Sequence, residues 1–141
     1  MIINFYTFNE MYSFDKNIKV RIQIDDSEHY IQRQSRLDNE PDIKGETIVS
    51  SDEIKADIIK SLDELLLLNL YGSKVYWDKD KLNKNILCQN SYTNLNVIYS
   101  VSKIKENVKY IYNIDIITVM RKKDFITSKS MENTTFKIIL K

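Results

Sequence analysis

Ile18, Val20, Ile22 and Ile24 alternate with Lys19, Arg21 and Gln23, which is the period-two pattern of a half-buried strand. Ahead of it, Ile2 to Phe8 is rich in β-branched and aromatic residues and predicts a second strand. Asn9 to Asn17 would then be the connection. With a polar edge strand from His29 to Arg36, these segments predict an N-terminal β-hairpin over about residues 1–36. Leu37 to Gly45 holds the only proline, Pro41, and one of the two glycines, so residues 37–49 are expected to form a loop.

The pattern then changes to a helical one. Ser50 with Glu53 has capping-box spacing, and Gly72 stands where a left-handed residue is wanted, so a helix is predicted over 50–71. Ile54, Ile58, Leu62, Leu65 and Asn69 form one line, with Ile59, Leu66 and Leu70 beside it. The first half is amphipathic. The end, Leu65 to Tyr71, is apolar nearly all round.

The remainder, 74–141, reads as strands: Lys74 to Trp77, Ile86 to Cys88, Thr93 to Ser102, Val108 to Met120 and Thr134 to Leu140. Val108, Tyr110, Tyr112, Ile114 and Ile116 share one face, and Lys103 to Asn107 is expected to be a hairpin loop. The order predicts one domain, 1–141, of the α+β class: a predominantly antiparallel sheet, a meander, with one long helix packed on one face. Its core is expected to set Ile54, Ile58, Leu62, Leu65 and Leu66 against Val97, Tyr99, Val101, Tyr110, Tyr112, Ile114 and Ile138. With a single convincing helix, a doubly wound parallel sheet is disfavoured.

Composition narrows the source more than the activity. Ile, Lys, Asn and Tyr are abundant, while Ala56 is the only alanine and arginine is confined to Arg21, Arg33, Arg36 and Arg121. Such a skew follows from AT-rich coding and points to a low-GC bacterium, its phages or plasmids, or a large DNA virus. A net charge of +1 gives no global field toward nucleic acid or anionic lipid. The lone Cys88 and the lack of zinc spacing indicate a reducing compartment. No signal peptide or membrane span is read, so the expected location is the host cytoplasm or a virion.

The candidate chemistry is sparse. Gly45 and Gly72 form no phosphate loop, and no cofactor is expected. Any nucleophilic triad would need His29, the only histidine, with Cys88 or one of the serines; no local signature marks one, and Cys88 follows Ile86-Leu87 and reads as an inert core thiol. Asp78-Lys79-Asp80-Lys81 has too few oxygen ligands for calcium. Arg121, Lys122 and Lys123, with Lys103, Lys105 and Lys109, are the candidate basic patch for single-stranded nucleic acid, and Tyr99, Tyr110 and Tyr112 its stacking faces. Those tyrosines share strand faces with valines and isoleucines, which favours a core role.

No catalytic, cofactor-binding or metal-ligating residue is therefore assigned. The leading expectation is a non-enzymatic structural or interaction protein of a phage or mobile element. The alternatives are a small ribonuclease toxin-like enzyme, disfavoured by the charge balance, and an inhibitor of host defence. The long helix, the turn-strand from Gly72 to Lys81 and the strands from Thr93 to Met120 resemble in layout, over about residues 50–125, the tail-completion or tail-terminator (neck) proteins of phages. That resemblance implies rings at the head-proximal end of the tail, and carries over no residue role.

The partner expected is protein, including further copies of the chain. Leu67, Leu68, Leu70 and Tyr71, with His29, Arg33 and Arg36, are the candidate interface, because apolar side chains on every side of the helix end need a cover. The N-terminal hairpin, as a second layer, is the cover within the same chain.

Overall fold

A computed structural model describes residues 6–13, 18–24, 41, 49–67, 74–106, 109–127 and 134–140, with backbone alone for 6–13, 18–24, 66–67, 105–106 and 109–110. The elements in chain order are β1 (Tyr6–Ser13), β2 (Ile18–Ile24), α1 (Ser51–Leu67), β3 (Trp77–Asp78), β4 (Lys81–Leu82), β5 (Asn85–Asn90), β6 (Leu95–Glu106), β7 (Lys109–Arg121) and β8 (Thr135–Leu140). The fold is thus mixed, with one described helix and one mostly antiparallel sheet of eight strands.

The sheet runs β1-β2-β7-β6, and the far edge of β6 is shared by the short β3-β4 hairpin and by β5, which in turn carries β8. β5, β6 and β7 pair antiparallel in sequence order, while β2 lies parallel to β7 and β8 parallel to β5. The N-terminal hairpin therefore extends the sheet through β2, where a second layer was the expected cover for the helix end.

Several predicted bounds move. β1 continues to Ser13, where a connection from Asn9 was expected, because an irregularity between Phe8 and Tyr12 lets Tyr12 and Ser13 pair with Val20 and Lys19. Lys103 to Glu106 belong to β6, since the β6-β7 ladder holds as far as Glu106 opposite Lys109. The strand expected at 74–77 reduces to Trp77–Asp78, which turns back at Lys79 (φ 59°) onto Lys81–Leu82.

The start of α1 is fixed by its own sequence. The Glu53 amide donates to Ser50 Oγ at 3.2 Å and Ser50 Oγ donates to Glu53 Oε1 at 3.3 Å, so side chains satisfy the groups that a helix end leaves open. Ile54, Ile58, Leu62 and Leu65 are fully buried and join Leu95, Val97, Tyr99, Val101, Ile114 and Ile138 in one cluster. Each such aliphatic side chain contributes roughly 1.5–3 kcal/mol by leaving water. Tyr112 is half-buried against the same cluster, its ring 5.5 Å from that of Trp77, over which Lys103 Nζ sits at 4.5 Å. The side chains of Leu66 and Tyr110 lie outside the described residues.

One local feature resets the inside and outside of β7. Ile98 pairs with Thr118 but Tyr99 pairs with Ile116, which makes Ile117 the extra residue of a β-bulge. Ile114 and Ile116 face the core, and after the bulge Val119 and Arg121 do so. Unbroken alternation would have turned Thr118 and Met120 inward instead.

Candidate functional site

The sheet face that meets α1 carries a buried polar line as well as an apolar one. Glu53, Asp57 and Ser61 recur every fourth residue, so they share one helical stripe, and each meets a different strand. Arg121, at the end of β7, is fully buried. Its Nη2 lies 3.1 and 2.9 Å from the two oxygens of Glu53, and its Nη1 donates to the Thr93 carbonyl at 3.1 Å.

Further along, Asn90 Nδ2 donates to Asp57 Oδ1 at 3.1 Å, and the Cys88 thiol donates to the Asp57 carbonyl at 3.5 Å. Ser61 and Tyr99 share a hydroxyl hydrogen bond of 2.6 Å, and Ser61 Oγ also donates to the Ile58 carbonyl. Burial raises the Asp57 carboxyl above its ordinary value, against the opposing effects of the Asn90 hydrogen bond and the Lys60 charge. Burial likewise pushes the Cys88 thiol up to about 12 and raises the Tyr99 hydroxyl. A thiol held that high is not a nucleophile at neutral pH. These groups fix where the helix sits on the sheet.

The opposite face is built differently. After Arg121 the chain folds back over the sheet, with Asp124 in the left-handed region at φ 55°, which aspartate tolerates better than most residues. Two amides anchor this return. Asn96 Nδ2 lies within hydrogen-bond distance of the carbonyls of Asn94, Met120 and Lys122, and Gln89 Nε2 donates to Asn96 Oδ1 and to the Phe125 carbonyl, both at 2.9 Å.

Between this segment and β8 lies a cleft of about 430 Å³, which continues past Phe125, Ile126 and Lys137 into a second hollow of about 200 Å³ reaching Leu87 and Thr135. Together they form a groove along β8, roughly 13 Å from residue 135 to residue 139 at 3.3 Å per residue. Its apolar walls are exposed: Ile126 is 85% and Ile139 47% accessible. Lys122, Lys123 and Lys137 line it against a single acid, Asp124, and all four are exposed. A separate cleft of about 370 Å³ lies by Lys60, Asp63, Glu64 and Tyr92, where charges of both signs are interspersed.

The sequence-predicted interface falls largely outside the described residues. Leu67 ends the described helix, and Leu68, Leu70, Tyr71, His29, Arg33 and Arg36 lie outside the described residues. Of the candidate basic patch, Arg121 is removed by burial against Glu53, because the bulge at Ile117 turns it inward. Lys103 is engaged with Trp77, and Lys122 and Lys123 reach the groove. Tyr99 is sealed in the core. Asp78 and Asp80 are exposed around a tight turn, and among the described residues no three acidic, histidine or cysteine side chains gather as a metal site.

Two features of this region escaped sequence reading. The adjacent apolar pair Ile116-Ile117 was a signal for the bulge, since strict alternation breaks there. Ile126 follows Phe125, and Ile139 stands between Ile138 and Leu140, so neither is marked as exposed by its neighbours, and only the parallel docking of β8 beside β5 brings them together. Among the described residues no helix is long and apolar enough to cross a membrane. The chain matches no family model, no curated protein and no solved structure, and its site is read from its own geometry.

Proposed function

We propose that the chain is a non-enzymatic interaction protein of a phage or mobile element, working as one part of an assembly such as a virion tail or neck. In this reading a helix over 50–71 lies on one face of the β5-β6-β7 meander as the rigid base, and the other face makes contact. The observation that carries it is the groove along β8, where Ile126 and Ile139 stand 85% and 47% exposed beside a strand that pairs on one side only among the described residues. Exposed aliphatics gathered in a concave site on a well-packed domain mark a binding surface.

The reactive side chains support the same reading. Cys88 is a buried, strongly protonated thiol, and the one described guanidinium that is fully buried, that of Arg121, is bound to Glu53. The AT-rich coding bias supports the source. A second reading, an RNA-acting enzyme, draws on one specific observation, the three lysines that line the groove.

Incubation of the purified chain with labelled RNA at low salt separates the two. Intact RNA, with light scattering showing an assembly or a stable complex, is the expected outcome. Cleavage that disappears in Lys122→Ala or His29→Ala overturns it.

A further inference from the structure

The groove and the sheet edge that no described strand covers are made by the same residues. The Asn85 amide donates to the Thr134 carbonyl at 2.8 Å and the Ser91 amide to the Leu140 carbonyl at 2.9 Å. Even-numbered residues of β8 therefore turn their backbone toward β5, in the pattern of a parallel pair. Alternation turns the N–H and C=O groups of Thr135, Lys137 and Ile139 to the other side, where no described strand pairs with them. The side chains of Lys137 and Ile139 rise into the groove opposite Ile126.

We propose that β8 takes up an extended acidic segment of a partner protein as an added strand. Apolar side chains of that segment would seat between Ile126 and Ile139, and its carboxylates would meet Lys122 and Lys137. This rests on the interaction reading above and names the partner. Main-chain hydrogen bonds along an open edge give such binding its affinity, and alternate side-chain pockets give it specificity.

The charge decides between occupants. Groove residues carry three formal positive charges against one negative, so an acidic strand is complementary and a basic one is repelled. A second copy paired through the same edge, antiparallel about its centre, would set Lys137 against Lys137, and like charges directly opposite are destabilising. A lysine in this position is also a common guard against edge-to-edge self-association. Single-stranded RNA is the weaker fit. The exposed walls Ile126 and Ile139 offer no flat face for a base, the aromatic in the lining, Phe125, is half-buried, and the amide donors of Gln89 and Asn96 are engaged with protein oxygens.

The test uses the full chain and a short fluorescent peptide alternating valine with glutamate, followed by anisotropy. Controls are the peptide with lysine in place of glutamate and a short oligouridylate. The glutamate peptide is expected to bind at least about tenfold more tightly than the lysine peptide, as charge complementarity at a rim requires, and to weaken as salt is raised. N-methylation of the alternate amides that face β8 should abolish binding, while methylation of the other set should leave it. Lys137→Glu, at an exposed position, balances the positive and negative charges of the groove and should remove the peptide preference with an unchanged circular dichroism spectrum. Failure of the glutamate peptide to bind, equal binding of both peptides, or indifference to N-methylation overturns the inference and leaves the interaction reading standing. Tighter binding of oligouridylate, with cleavage, overturns both.

Discussion

The two faces of the β5-β6-β7 sheet handle polar groups in opposite ways. On the face that meets α1, polar side chains, most of them buried, are tied to one another across elements: Glu53 to Arg121, Asp57 to Asn90, Ser61 to Tyr99. On the other, the half-buried Gln89 and the buried Asn96 hold down the return after Arg121, and large aliphatic and charged side chains are left in water around a groove. The first arrangement fixes geometry, because a buried charge or hydroxyl tolerates few positions. The second leaves surface for another molecule. Substitutions on the first face should cost stability, and those on the second should cost binding.

The largest effect is expected at the ion pair, and it should be asymmetric. Arg121 is fully buried whereas the Glu53 side chain is 32% exposed. Glu53→Ala strands a buried guanidinium and should cost about 3–5 kcal/mol in urea unfolding. Arg121→Met leaves a carboxylate that water reaches, so its cost should be clearly smaller. Equal losses in the two variants would show that Arg121 is solvated and that this face is not sealed.

Leu62→Ala comes next. Leu62 is fully buried in the line Ile54, Ile58, Leu62, Leu65, and its truncation should cost about 2–5 kcal/mol. A loss below roughly 0.5 kcal/mol, the range of exposed sites, would break the assignment of this helix face to the core.

Asp57 sharpens the contrast through pH. Its folded carboxyl is raised above the ordinary value of 3.8, chiefly by burial. The folded state therefore binds the proton more tightly than the unfolded chain, so this contribution to stability is complete below the ordinary value and is lost as pH rises through the raised one. Asp57→Asn, which keeps an oxygen to accept from Asn90, should match the wild type in acid and exceed it at neutral pH. Thermal unfolding of both proteins across pH 3–8 checks this, and parallel curves would place Asp57 in water.

The smallest stability effect should come from Ile126→Lys. At 85% exposure the change should stay within about 0.5 kcal/mol of wild type while weakening capture of the valine–glutamate peptide. A large loss of stability would make the groove wall part of the core and erase the difference between the faces.

Much of the first face was legible in the chain. Ser50 and Glu53 announce the helix start, the Ile54-Ile58-Leu62-Leu65 line announces its buried side, and Val97, Tyr99 and Val101 announce theirs, because each pattern lies within a few residues. Asp57 and Ser61 were not legible as buried groups. Polar residues beside an apolar helical line look solvated until Asn90 and Tyr99 arrive from distant strands. Arg121 was misread for a similar reason, as a member of a basic run whose direction depends on a bulge upstream.

By itself the sequence determined the existence and order of α1 and the strands from β5 to β8, the inward faces before Ile117, and the near-balance of charge. Tertiary structure alone decided that β2 and β8 dock parallel, that Arg121 turns inward, and that Ile126 and Ile139 share a groove. The reason is range: periodicity and capping act between neighbours on one element. Strand partners and register are instead set by contacts between residues far apart in the chain, each of which must offset the entropy of closing the loop between them.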